Sequence, residues 1–202
     1  MSENHTALPG RRTILKFGAC ALLAAGAGLA LPGTAPAARN NGRVLVLYFS
    51  HSGNTAQVAR AFHAALGGDI VEVKAVRAYS QDYDTVVDEA KKEQEANARP
   101  ELAMPVPDFA AYDTVFLGYP SWWGTMPMVY FTLLEKGAGA LAGKTVVPFC
   151  THEGSGLGRG PADIRKLAPG AKVASGFDMR GRSVSRAESR VGEWLKKQGY
   201  ID

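Results

Sequence analysis

Two stretches of this chain have no polar face for the length of a strand: RVLVLYF at 43 to 49 and DTVFLGY at 113 to 119. A half-exposed strand alternates apolar with polar side chains, whereas a strand apolar on both faces must be covered on both. Both runs therefore belong in the middle of a parallel sheet with helices packed on either side. Three further runs have strand length and are rich in valine or aromatics: IVEVKAV (70 to 76), KTVVPFC (144 to 150) and AKVASGF (171 to 177).

Helical patterns separate them. Residues 54 to 66, NTAQVARAFHAAL, set Val58, Ala59, Phe62 and Leu66 on one stripe before Gly67 and Gly68 stop the helix. A second helix is expected from Met128 to Glu135, between Pro127 and Gly137. A third, Arg186 to Lys197, puts Val191 and Trp194 on one face and basic residues on the other. Strands alternating with helices indicate right-handed crossovers and an open α/β sheet. The exception to the alternation is Tyr79 to Pro107, which holds the polar helix YDTVVDEAKKEQEANA and then prolines 100, 105 and 107. It is too long for an ordinary connection, so it is either a solvated structural helix or a lid, binding segment or partner surface.

The length of 202 residues suits one globular domain. The expected boundaries are a cleaved signal peptide over 1 to 38 and the folded domain over 39 to 202. Arg11 and Arg12 precede the uncharged, weakly apolar ACALLAAGAGLALPG, and small residues follow, with cleavage expected at Ala37 or Ala38. The arginine pair resembles the twin-arginine signal of bacteria, which implies a periplasmic or secreted protein with no stable membrane anchor after cleavage. Cys20 leaves with that segment, so Cys150 is the one cysteine of the mature chain and has no internal disulfide partner. Arg11, Arg12, Lys16 and Glu3 leave too. Of 23 basic and 19 acidic residues, 20 and 18 then remain, a net charge of about +2. No stretch interleaves basic with aromatic residues, and nucleic acid is excluded as a partner.

Open parallel sheets bind ligands beyond the C-terminal ends of their strands. The first strand ends in SHSGNT, 50 to 55: three hydroxyls, a glycine permitting close backbone approach, and the N–H groups of a starting helix. This is a donor set for a phosphate with no lysine or arginine in it, although a capped helix after a turn would read the same way. The third strand opens into GYPSWWGTMPM, 118 to 128, whose two tryptophans between prolines form a rigid aromatic wall on the same edge. The fourth ends in CTHEGSGLG, 150 to 158, with further hydroxyls and glycines. No Walker loop is present, and GSGLGRG at 154 to 160 fails the dinucleotide spacing. Cys150 and His152 lack an acid partner or oxyanion helix, and His51, His63 and His152 have no metal-ligand spacing, so no metal site and no catalytic side chain is assigned.

Taken together, VLVLYFSHSGNTAQVA resembles the first strand and FMN phosphate loop of flavodoxin-like proteins. YDTVFLGYPSWWGTMPM is similar to the isoalloxazine loop of the single-domain bacterial flavodoxin-like subfamily, THEGSGLG to its third flavin loop, and the polar helix with EANARPEL to its insert. The resemblance runs from about residue 43 to 200. It implies a three-layer α/β/α sandwich around a five-stranded parallel sheet of order 2-1-3-4-5, with FMN as cofactor. Ser50, Ser52, Gly53, Asn54 and Thr55 would hold the phosphate, with His51 contributing backbone. Pro120, Ser121, Trp122, Trp123, Gly124 and Thr125 would border the ring. Thr151, His152, Glu153, Gly154, Ser155 and Gly156 would close its pyrimidine side. A main-chain group around Gly124 or Thr125 is expected to meet the flavin N5, glycine letting a peptide reorient cheaply.

The role implied is electron transfer to a redox partner protein or to a small acceptor such as a quinone. Well-known carriers of this kind are strongly acidic, and this near-neutral chain departs from that. The alternative is an FMN-dependent NAD(P)H:quinone or azo-type oxidoreductase, whose substrate site over the ring is often shared across a homodimer.

Overall fold

The structure is a computed structural model and describes residues 42–202; the expected signal peptide, residues 1 to 38, lies outside them. Its strands and helices alternate as β1 (Val44–Tyr48), α1 (Asn54–Leu66), β2 (Asp69–Glu72), α2 (Tyr83–Glu95), β3 (Thr114–Pro120), α3 (Val129–Gly137), β4 (Thr145–His152), α4 (Gly160–Leu167), β5 (Lys172–Val173), β6 (Phe177–Arg180) and α5 (Ala187–Gln198). The sheet is parallel throughout and ordered β2-β1-β3-β4-β5, with β6 also on β4.

Period-two alternation divides the core between the two faces of the sheet. Leu45, Leu47, Val115, Leu117 and Val146 point to one face, where Tyr130, Leu133 and Leu134 of α3 and Ile164 of α4 cover them. Val44, Val46, Phe116, Val147 and Phe149 point to the other, under Val58 and Phe62 of α1 and Val191 and Leu195 of α5. All these side chains are buried, so the two-faced apolar runs have the cover that their composition demands.

The expected fifth strand, 171 to 177, is instead two short ones. Thr145 and Val146 pair with Lys172 and Val173, but Phe149 pairs with Phe177, one residue further on. Between them lies Pro148, which has no N–H to give the ladder, and the chain takes up the extra residue as a bulge. The helix α4 was not expected from its glycine-rich start; it opens with Pro161 in its first turn.

The long connection between β2 and β3 is a stitched excursion. Its ends meet where Val76 N–H donates to Glu101 O at 2.8 Å and Ala103 N–H to Lys74 O at 2.8 Å. Asp82 caps α2 by accepting from the Thr85 backbone N–H at 2.9 Å. Arg77 pairs with Glu89 at 2.6 Å, Tyr79 OH donates to Glu93 at 2.8 Å, and Arg99 forks onto Glu135 of α3 with two 2.7 Å bonds.

Candidate cofactor site

The loops that leave β1, β3 and β4 open on one edge of the sheet, and α2 stands over them. Together they enclose a cavity of about 520 Å³, in the size range of small-molecule and cofactor pockets. Its polar side carries Ser52, Asn54, Ser121, Thr151 and Glu153, with His51, His152 and the backbone of Gly181. Its apolar side carries Tyr83, Val86, Val87 and Ala90 of α2, with Pro120, Trp122 and Trp123.

In the first loop, Gly53 occupies the cap position of α1 at φ 86°, and no side chain caps the helix. The first-turn N–H groups are therefore left for a ligand, where the helix field favours an anion. Ser50 Oγ is buried and has no hydrogen-bond partner. An orphaned buried hydroxyl costs about 1–3 kcal/mol, a cost that a ligand oxygen would remove. Thr55 is spent differently: its hydroxyl, 1% exposed, meets the Thr151 hydroxyl at 2.7 Å and ties the first loop to the third. His51 Nε2 lies 2.7 Å from Ser80 O, and since a carbonyl only accepts, this nitrogen carries the proton.

The second loop turns over Trp122 to Thr125. Trp122 N–H donates to Thr125 O at 2.8 Å, Thr125 N–H to Trp122 O at 3.1 Å, and the two central residues have φ of 50° and 77°. That is a two-residue turn of the kind glycine suits, so Gly124 fits it and Trp123 is strained in it. Trp123 is held by the insert: its Nε1–H donates to Val87 O at 3.0 Å, and Lys91 lies 5.1 Å from its ring centre. Trp122 is locked edge-on against Phe49, Tyr79 and His51 at centroid distances of 5.5, 4.9 and 5.8 Å. Gly124 O accepts from Arg159 N–H at 2.7 Å, and both backbone groups of Thr125 bond to Trp122. Among the described residues, the Gly124 N–H is the one of the Gly124 and Thr125 peptide groups that makes no backbone bond.

The third loop braces the second. Ser155 Oγ–H donates to Ser121 Oγ at 2.7 Å, and Thr125 Oγ1–H to Asp163 of α4 at 2.5 Å. Gly158, at φ 54°, approaches so closely that a Cβ there would lie 2.2 Å from Gly124 O. The glycine run that mimics a dinucleotide fingerprint is thus what lets loop press on loop. Cys150 lies in the core beneath, its Sγ 3.4 Å from Gly156 O, and burial pushes its thiol well above the usual range. It is no thiolate nucleophile. Among the described residues no three His, Cys, Asp or Glu side chains gather to hold a metal.

His51, Ser52, Asn54, Pro120, Ser121, Trp122, Trp123, Thr151, His152 and Glu153 all reach the cavity wall. Ser50, Gly53, Thr55, Gly124, Thr125, Gly154, Ser155 and Gly156 do not line it; of these, Thr55, Thr125 and Ser155 brace the loops. The sequence reading missed Gly181, for which no motif gives a signal. It also missed Tyr83, Val86, Val87 and Ala90, whose spacing of three, four and seven is an amphipathic stripe readable in YDTVVDEA. An uncapped helix start and an aromatic wall around one cavity, with an orphaned hydroxyl in the loop behind it, fit a phosphate-bearing planar cofactor.

Comparison with known proteins agrees. Residues 43–198 match the family model described as flavodoxin. A candidate flavoprotein from Bacteroides eggerthii is 30% identical with a TM-score of 0.64, over 78% of this chain and 98% of its own. Another from Bacteroides uniformis is 29% identical with a TM-score of 0.66, over 77% of this chain and 99% of its own. A flavoprotein from Lactobacillus acidophilus solved in complex with FMN is 24% identical with a TM-score of 0.62, over 76% and 98%. No curated protein matches the chain.

Proposed function

The chain belongs to the flavodoxin family, and from that premise we propose that it is an FMN-dependent electron-transfer protein. The observation that carries the reading is the Ser50 hydroxyl, buried without a partner behind an uncapped helix start on the edge where the tryptophan loop opens. Ser50, Ser52, Asn54 and the first N–H groups of α1 would hold the phosphate with neutral donors. Trp122 and Trp123 would border the ring, and Thr151 and His152 would lie at its other side. When bound, FMN supplies the one- and two-electron chemistry.

The chain's own contribution is to exclude water and set the electrostatics. Tyr83, Val86, Val87 and Ala90 bring an apolar wall to the cavity, and among the described residues that line it Glu153 is the only one of Asp, Glu, Lys or Arg type. A low-dielectric setting magnifies each fixed charge and dipole. Electrons would pass to a redox partner protein or a small acceptor such as a quinone. The proposal includes export by the twin-arginine route to the periplasm or beyond, supported by Arg11, Arg12 and the apolar run behind them.

The test is a reconstitution of residues 39 to 202 with FMN, followed by NADH and NADPH with and without a quinone. A carrier keeps its flavin oxidised under NAD(P)H and, once photoreduced, passes electrons to an acceptor. Rapid NAD(P)H oxidation would contradict the carrier role and establish the reductase instead.

A further inference from the structure

The donors at the start of α1 are neutral, and the charged side chain that reaches them has the wrong sign for a phosphate. Gly181, in the turn from β6 to α5, is buried and lines the cavity together with Ser52, Asn54 and Glu153. A Cβ built on it would lie 2.5 Å from Glu153 Oε1 and 2.7 Å from Asn54 Nδ2. The carboxylate of the third loop and the amide of the first residue of α1 thus flank one point of backbone, no farther apart than those two distances laid end to end. With glycine at 181 there is no side chain to part them.

Nothing neutralises this carboxylate. Among the described residues Glu153 forms no ion pair, and the Asn54 side-chain amide makes no hydrogen bond. Arg180 and Arg182, on either side of Gly181 in sequence, are exposed and pair with neither. A carboxylate so placed opposes an arriving phosphate in two ways. It repels the charge, and it draws on the Asn54 donor that the phosphate needs. Unpaired like charge is a recognised means of discriminating between otherwise similar ligands.

Resting on the FMN reading, we infer that Glu153 is a specificity-determining residue of the phosphate end. Its carboxylate holds back the affinity for a flavin that carries a phosphate and hastens its release, and it leaves a flavin without one untouched. The preference for FMN over riboflavin is then what the neutral donors of α1 and its loop provide, less what Glu153 takes away. Two unit charges about 5 Å apart in water repel enough to change an affinity about fourfold, and a phosphate ester carries roughly 1.5 to 2 charges, so the effect is about tenfold.

The experiment is the affinity of apo protein for FMN and for riboflavin, by quenching of flavin fluorescence, at about 20 mM and about 500 mM salt. The proteins are wild type, E153Q and E193Q. Glu193 is an exposed carboxylate of α5 in a separate groove, so E193Q loses the same charge away from the cavity. At low salt E153Q is expected to bind FMN about tenfold more tightly than wild type and to release it more slowly, with riboflavin affinity unchanged. At high salt the FMN gap should narrow, because Glu153 is exposed and its charge is screened. E193Q is expected to follow wild type throughout. FMN affinity unchanged or lower in E153Q, an equal gain for riboflavin, the same gain in E193Q, or a gap that salt leaves untouched would each overturn the inference. Failure of all three proteins to bind FMN would instead sink the cofactor reading on which it rests.

Discussion

Trp123 Nε1–H donates to the carbonyl oxygen of Val87 at 3.0 Å, so the second cofactor loop and the insert helix are one structural unit. The bond helps hold Trp123 at a φ of 50° that a bulky residue rarely adopts. Trp123→Phe keeps a ring and removes the donor. Amide exchange in α2 should accelerate between about twofold and tenfold, corresponding to roughly 0.5–1.5 kcal/mol for one hydrogen bond. Exchange unchanged in α2 would show that the helix is held by its other ties alone.

Ser50→Ala should act with opposite signs on the empty and the loaded protein. Removing a buried hydroxyl that has no partner relieves a desolvation cost in the apo form. The apo protein should melt at a higher temperature by an amount equivalent to about 1 kcal/mol, while the affinity for FMN falls by about tenfold or more. A variant less stable when empty, with FMN affinity intact, would place the hydroxyl's role in the fold and not in the site.

Thr55→Val tests a different kind of residue in the same loop. Its hydroxyl is joined to Thr151 at 2.7 Å inside the protein. Urea unfolding of the apo form should show a loss of about 1–3 kcal/mol, because the Thr151 hydroxyl is left buried and alone.

Gly158→Ala places a methyl 2.2 Å from Gly124 O at a residue with φ of 54°. The left-handed backbone alone costs roughly 1–2 kcal/mol, and the contact forces the two loops apart. Stability in urea should fall by more than about 2 kcal/mol, with a parallel loss of FMN affinity.

The carboxyl of Glu93, half-buried on the insert helix α2, is raised above the ordinary carboxylate range chiefly by burial, against the lowering effect of its bond from Tyr79. A raised folded-state pKa means that the charged form is disfavoured in the native state. The penalty is present above that pKa and vanishes as pH falls below the unfolded value. Glu93→Gln keeps an acceptor for Tyr79 without the charge. It should melt higher than wild type at pH 7, and the gap should close by about pH 4. A gap constant with pH would locate the effect in packing.

The central place of β1 and β3 and the helical cover on both faces were legible because Leu45, Leu47, Val115 and Leu117 alternate with Val44, Val46 and Phe116 in runs that leave no face for water, whereas the strand order came from the resemblance to the flavodoxin-like family. The three ligand loops were legible because hydroxyl, glycine and tryptophan cluster at strand ends. Pro148, in plain view, shifts the register of the last strand pair by one residue, and a reading for hydrophobic period takes no account of a missing donor. The fourth wall of the cavity was harder. Tyr83, Val86, Val87 and Ala90 sit on a helix whose overall composition is polar, and the aromatic loop that they meet is more than thirty residues away in sequence. The division of labour between Ser50 and Thr55 depends on which hydroxyl lacks a partner, and that is set by tertiary contacts.

The central claim is that the cavity takes a phosphate-bearing flavin, with the phosphate against the first turn of α1. It is tested most directly by titrating apo protein, residues 39 to 202, with FMN and separately with riboflavin. One equivalent of FMN bound with quenched fluorescence, and riboflavin bound at least about a hundredfold more weakly, is the result expected from several charge-assisted phosphate hydrogen bonds. Equal affinity for the two flavins, or no binding of either, would contradict it.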